Sequence, residues 1–394
     1  MLQISGVRPN GSTDRPLLQG SNLRKDARVV KSVAFWLLVL VLFGTVLTHS
    51  PGMTDFRSYY AAGGLIRHEP QNLYSADAQF RGQSQIGSGP FFPWAHLPPE
   101  ALIVAPLTFV SFRHAVAIWN GTSLLLILLA AWQLKPDWRG YSAFTAVLCP
   151  ITIGLHAGQD VFIILAALSA GFVYLRRGRD FVAGCLIGIG LLRFTIMIPF
   201  LCFWAAARRW KILSGAACTG ICLAAISFAA VGRQVIPEYL KMCRLLAASH
   251  DSADAVRMPT LRGFFTVVLG YHPYNYIAVI AVSAIILGWG LRQCARWKDS
   301  PHRTETLFAF ALTISIVLDY QGYIYNVALL LVPVVLLQAR WPDTSKFLFF
   351  FAFATFCIGL FVGGAFGLVA PFILATSVLI QRSGSSDRVA TRAI

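Results

Sequence analysis

Apolar blocks about as long as a bilayer is thick, and nearly empty of Asp, Glu, Lys and Arg, recur along almost the whole chain. About 20 such residues in a helix span a hydrocarbon core of about 30 Å, so repetition of the block constrains the fold more than any motif. In lipid each backbone N–H and C=O must find its partner within the protein, and a helix does this with its own residues. The spacing predicts helices near 33–49, 97–112, 115–134, 141–157, 160–175, 181–204, 212–231, 274–291, 305–319, 322–338, 346–362 and 366–380. The expected fold is all-α: a polytopic membrane protein with about twelve transmembrane helices.

Composition agrees. Of 394 residues, 56% are hydrophobic and 13% charged, against about 25% charged in soluble domains. Lys and Arg number 33 against 17 Asp and Glu, a net charge of +16. These cations stand at the ends of apolar blocks, where they set topology and meet anionic headgroups, so membrane lipid is the expected partner and nucleic acid is not. The eight cysteines form no CxxC pair. Cys218 and Cys222 share a helix face, yet inside apolar blocks they read as small packing side chains. The first block follows Lys25, Arg28 and Lys31 like a signal peptide, but no small-residue cleavage site follows, so it reads as a retained span.

The chain then divides into a basic cytoplasmic tail (1–31), a transmembrane domain (32–381) and a second cytoplasmic tail (382–394). Non-cytoplasmic loops lie near 49–96 and 232–273, both basic and rich in aromatic residues, as suits short helices on a membrane surface. One pair of clusters resists this topology. Arg176, Arg177 and Arg179 lie one block from Arg208, Arg209 and Lys211, and both cannot face the cytoplasm if 181–204 crosses once.

The first loop carries Met53-Thr54-Asp55-Phe56-Arg57-Ser58-Tyr59-Tyr60. Asp55 stands a few residues beyond the first span, where partial desolvation suits a carboxylate to removing a hydroxyl proton. Thr54 or Asp55 as a helix cap is the competing reading. Pro98 and Pro99 start a helix well, and the aromatic residues before them mark re-entry into the membrane. Arg193, alone in an apolar block, is costly enough to suggest a function, with snorkelling or helix pairing as the alternative. Gly158-Gln159-Asp160 reads as a turn between two spans, on the cytoplasmic side and away from Asp55. The histidines show no metal-ligand spacing, His96 being closest to the loop mouth; no metal site or cofactor is assigned, and assistance by a divalent ion stays open.

Asp55-Phe56 with Tyr59-Tyr60-Ala61, Asn72-Leu73-Tyr74, the Phe92-to-Pro99 re-entry with Ala105-Pro106-Leu107, and Gly158-Gln159-Asp160 before Arg176-Arg177-Gly178-Arg179 resemble glycosyltransferase family 87. The resemblance runs in order from about residue 30 to about residue 340. It implies a GT-C type membrane bundle in which a polyprenyl-phosphate sugar, commonly mannose, is the donor and a lipid-linked or envelope glycan the acceptor. It further implies inverting transfer by a mannosyltransferase-like hexosyltransferase on the non-cytoplasmic face of a multi-pass protein, in a bacterial inner membrane.

By the same resemblance Asp55 is the catalytic base, and Tyr59, Tyr60 and Gln321 lie in the matching stretches as substrate contacts. Arg193, Arg257 and Arg262 are the candidates to contact the donor phosphate, with a basic loop on anionic lipid the alternative for Arg257 and Arg262; Asp319 is a further candidate substrate contact, with helix-end solvation the alternative. Arg193 stands where the family commonly has lysine. Asp319-Tyr320-Gln321 and Tyr325-Asn326-Val327 stand where it often reads Ser-Pro-His and Tyr-Asp-Leu. The rival class is a secondary transporter or lipid flippase of the cell envelope, although no half-to-half repeat or paired broken helix is visible.

Overall fold

The computed structural model describes residues 54–134, 141–248, 255, 258–270, 273–296 and 303–340, all within the unit Val46–Ile394. The expected span at 33–49, the two beyond 340, both tails and Arg257 lie outside them. The described residues are helical throughout. Four stretches among them are long and apolar enough to cross a membrane: Phe112–Leu134, Asp180–Ala206, Trp210–Val231 and Tyr274–Arg296. Twelve crossings are not shown.

Helix α1 (Thr54–His68) carries Asp55 in its first turn, where the positive end of the helix favours a carboxylate. Helix α2 (Ala76–Ile86) begins at Ser75, whose hydroxyl accepts the Ala78 N–H. Helix α3 (Pro98–Val104) starts on the two prolines and tightens into a 3-10 turn at Ala105–Phe109. These twelve residues, expected to cross, rise only about 20 Å. They also stay beside α1: Trp94 packs edge-on against Tyr59 at 5.0 Å between centroids, and Phe112 stacks on Phe56 at 5.9 Å. Pro98, Pro99 and Glu100 are buried in this segment, which stays at the α1 end of the bundle.

Losing that crossing reverses the direction of everything after it. Helix α4 (Phe112–Leu134) leaves the α1 end, and α5 (Tyr141–Ala157) returns to it. Gly158 at the end of α5 accepts a hydrogen bond from Trp119 Nε1 in the first half of α4 at 2.8 Å. Gly158-Gln159-Asp160 therefore lies on the same side as Asp55, a correction to the topology read from the sequence. Helix α6 (Val161–Arg176) then runs about 24 Å to the opposite end.

The conflict between the arginine clusters resolves here too. Residues 180–206 form α7 (Asp180–Gly188), a 3-10 segment (Ile189–Arg193) and α8 (Phe194–Ala206), with the break at Arg193 (φ −109°, ψ 64°). Both ends of this stretch meet: Arg209 Nη1 lies 3.5 Å from Asp180 Oδ2. Arg176 pairs with Glu305 at the same end of the bundle, at 3.5 Å. The stretch enters and doubles back, so its 27 residues are two half-depth helices, and Arg176–Arg179 and Arg208–Lys211 share one end.

Helix α9 (Trp210–Val231) runs alongside α7 at backbone contact. A Cβ on Gly184 would stand 2.1 Å from the Ile212 carbonyl oxygen, and one on Gly215 would stand 2.2 Å from that of Phe181. Small residues permit this approach, which gives apolar helices dispersion contact that lipid cannot supply. Among the described residues of the second loop, α10 (Val235–Ala248) and α11 (Leu261–Leu269) are helices. Helix α12 (Pro273–Arg296) descends and α13 (Arg303–Leu318) rises. A 3-10 segment at Ile324–Leu330 continues into α14 (Leu331–Arg340). Phe200, Trp204 and Phe308 seal α8 against α13.

Gly184→Ala and Gly215→Ala are each expected to destabilise the purified protein by about 1–3 kcal/mol, because the methyl group meets backbone that cannot turn away. Gly64→Ala, which meets nothing within 4 Å, should leave thermal unfolding in detergent unchanged or raise its midpoint.

Candidate functional site

The first residue to place is Gly158, whose φ of +70° suits glycine and whose absent side chain leaves room for Phe56; a Cβ there would come within 2.6 Å of the Phe56 Cβ. This contact presses the turn after α5 against the start of α1. Phe56, Tyr59, Trp94 and Trp119, all nearly or wholly buried, form the wall behind it. Their packing leaves Asp55 and Tyr59, one helical turn apart, facing Gln159 and Asp160.

Gln159 then joins two groups that are far apart in sequence. Its Nε2 donates to Asp55 Oδ2 at 2.5 Å, and its Oε1 accepts from Arg193 Nη2 at 2.8 Å. Arg193, at the tip of the broken hairpin, forms an ion pair with Asp160 through the same nitrogen. The Tyr59 hydroxyl donates to Asp160 Oδ1 at 3.1 Å and accepts from Arg193 Nη2 at 3.2 Å. The Arg193 guanidinium also lies 5.6 Å from the centre of the Tyr325 ring. An unpaired cation at this depth would be expensive; the carboxylate and the two polar side chains offset that cost.

His96 and Glu100 border the cluster. His96 Nδ1 lies 2.9 Å from Glu100 Oε2, and donor atoms of His96, Glu100 and Asp160 all fall within 4.8 Å of one another. Burial raises the Glu100 carboxyl well above its ordinary range, and the negative charge of Asp160 adds to the rise. The carboxylates thus differ sharply in access. Glu100 and Asp160 are each 2% exposed, whereas Asp55 is half-buried.

A second group lies nearby. Asp319 is buried and accepts hydrogen bonds from the Gln321 N–H and Asn326 Nδ2, both at 3.1 Å, and from the Thr195 hydroxyl near the hairpin tip. Arg262 lies over the Tyr320 ring at 4.5 Å and donates to the Tyr320 carbonyl at 3.4 Å. Gln321 is exposed. Tyr60 points elsewhere, its hydroxyl donating to the Val110 carbonyl at 2.7 Å.

Of the residues expected from sequence, the fold brings Asp55, Tyr59 and Arg193 together and sets Asp319, Arg262 and Gln321 in an adjoining group. Tyr60 stays apart. Gln159, Asp160, Glu100 and Tyr325 were not assigned to the site. The available signal was two polar residues, Gln159 and Asp160, between two apolar helices, a placement costly unless they have partners.

A helical membrane bundle with a carboxylate, an amide and a guanidinium joined at one end defines a class of polytopic proteins with a polar site at one end of the bundle. Residues 94–318 match the model of glycosyltransferase family 87, and the chain belongs to that family. It is a glycosyltransferase, which decides against the transporter reading. No curated protein and no solved structure matches it. The matched range includes Gln159, Asp160, Arg193 and Arg262, whereas Asp55 precedes it.

Gly158→Ala is expected to lower stability by about 1–3 kcal/mol, since it forces a side chain to positive φ and against Phe56. Thermal unfolding of the purified chain checks this, with Gly178→Ala, also at positive φ but meeting nothing within 4 Å, showing the smaller cost of conformation alone.

Proposed function

We propose that the chain transfers a hexose, by its family resemblance mannose, from a polyprenyl-phosphate donor to a lipid-linked or envelope glycan. In this reading it is a GT-C type hexosyltransferase that works with inversion, and its site faces the non-cytoplasmic side of a bacterial inner membrane. The arginine clusters gathered at the opposite end support that orientation.

The observation that carries the reading is the Gln159 bridge from Asp55 to Arg193. Inverting transfer needs a carboxylate to take the acceptor hydroxyl proton as the new bond forms, and positive charge where the phosphate leaves. Asp55 has the access the first role needs. Asp160 is committed to Arg193, and Glu100 is enclosed, so neither is placed to attack the sugar as a retaining nucleophile.

For the leaving phosphate, Arg193 brings charge already held by its neighbours, and Arg262 brings a cation that meets the Tyr320 ring and carbonyl. The two would divide the work: Arg193 fixes the field beside Asp55, and Arg262, nearer the surface, meets the phosphate. Tyr59 orients Arg193 and Asp160, while Gln321, being exposed, is available to substrate. Tyr60 anchors the segment after α3, and Asp319 shapes the loop that carries Gln321.

The test is transfer of labelled mannose from polyprenyl-phosphate mannose to a glycolipid fraction by the full chain in nanodiscs. Asp55→Asn should lower the rate by about 10²- to 10⁴-fold with the protein folded. Gln159→Leu should lower it less, by about tenfold or more, through loss of alignment rather than of the base. Full activity in Asp55→Asn would remove the mechanism, and transfer from glucose but not mannose donor would correct the sugar.

A further inference from the structure

The proposed transfer reaction makes no use of His96 or Glu100. Glu100 is 2% exposed; its Oε2 lies 2.9 Å from His96 Nδ1, and its carboxyl also meets the Asp160 side chain and the Leu97 backbone. Asp160 is equally buried; Tyr59 and Arg193 meet its Oδ1, and its carboxylate also contacts Glu100. Two buried carboxyl groups and an imidazole thus converge on one small volume.

Two carboxylates in contact away from water repel each other unless something is shared between them. Two carboxylates against the single Arg193 guanidinium leave one negative charge in surroundings of low polarity. A proton shared between Glu100 and Asp160 could neutralise it. A divalent ion can be shared by all three residues. Magnesium–oxygen distances of about 2.0–2.1 Å put donors on opposite sides of one ion about 4.0–4.2 Å apart, so the three residues' donor atoms, within 4.8 Å of one another, need draw in only slightly to share it. Access exists as well, because the His96 side chain is 21% exposed while the two carboxylates are not.

We propose that His96, Glu100 and Asp160 form a binding site for one divalent cation of the manganese or magnesium type. Carboxylate oxygens suit such an ion, and a single imidazole nitrogen tilts the set toward manganese. The ion would tie the turn after α5 to α3 and so fix Asp160, on which Arg193 rests. It has a structural role and takes no part in a bond-making step. The inference is independent of the donor and acceptor proposed above, because ion binding is measured without turnover.

The experiment uses the full chain, stripped with EDTA, in phosphatidylcholine nanodiscs. Free Mn²⁺ is followed by electron paramagnetic resonance during titration, and empty nanodiscs are subtracted. One Mn²⁺ per chain is expected, displaced by excess Mg²⁺, with affinity reduced at least tenfold in both Glu100→Gln and His96→Ala. Glu238→Gln, on α10 away from the cluster, should bind as the unmodified chain does. Mn²⁺ should also raise the melting temperature of the stripped protein and of Glu238→Gln but not of Glu100→Gln. No uptake beyond empty nanodiscs would overturn the site and leave a shared proton as what holds the carboxyls together. Uptake equal in all variants would overturn it too, by placing the ion elsewhere.

Discussion

A guanidinium held among apolar helices must be neutralised, and the Arg193–Asp160 ion pair is the constraint on which the arrangement of this site depends. Charges this far from water stay ionised only when paired and hydrogen-bonded. Asp160 reaches Arg193 because α5 and α6 meet at the Gly158 turn, and Arg193 reaches Asp160 because the hairpin of α7 and α8 breaks beside it. Once the pair exists, Gln159 and Tyr59 have little freedom. Tyr59 meets both members of the pair, Gln159 accepts from Arg193, and the Gln159 amide nitrogen is left to donate to Asp55.

The pair depends in turn on how closely α7 can lie against α9. Gly184, Gly188 and Gly215 bring the two backbones together, so that a half-length helix ending in mid-bundle still buries its flank. Without that contact the hairpin would expose the polar ends of two short helices to lipid, which no neighbouring water could satisfy. A broken apolar hairpin with a polar tip is also how transporters build sites at membrane depth. The family match, not the device, separates the two classes here.

Much of the fold was legible in the sequence. Apolar length marked helices, Pro98 and Pro99 marked the start of α3, and Asp55 stood out as a carboxylate beside a membrane mouth. Hydropathy, however, reports length and not direction. The segment 97–112 has enough apolar residues to be counted as a span, and only its packing on Tyr59 and Phe56 shows that it does not cross. One miscounted span put Gln159 and Asp160 on the wrong side. Likewise 181–204 has the composition of a straight helix whether it crosses or folds back; the hints were Arg193 inside it, the glycines at 184, 188 and 190, and the paradox of the arginine clusters. Contacts across many residues, such as Tyr59 with Asp160, depend on all these directions at once.

The loop after α13 shows how a departure from the family pattern can keep its physics. The stretch it resembles often has serine where this chain has Asp319 and aspartate where it has Asn326. In this structure the two side chains are hydrogen-bonded, Asn326 Nδ2 donating to Asp319 Oδ2 at 3.1 Å. Two carboxylates at that distance would repel, and one would have to take up a proton. A carboxylate at 319 therefore requires a neutral donor at 326, and an acid at 326 is compatible with a hydroxyl at 319. The pair retains one carboxylate and one neutral partner with the positions exchanged. The charge moves by the length of one hydrogen bond, while the Thr195 contact still ties the loop to the hairpin tip that carries Arg193. What the exchange alters is the neighbourhood of exposed Gln321, where a neutral amide stands in place of the histidine common in the stretch it resembles.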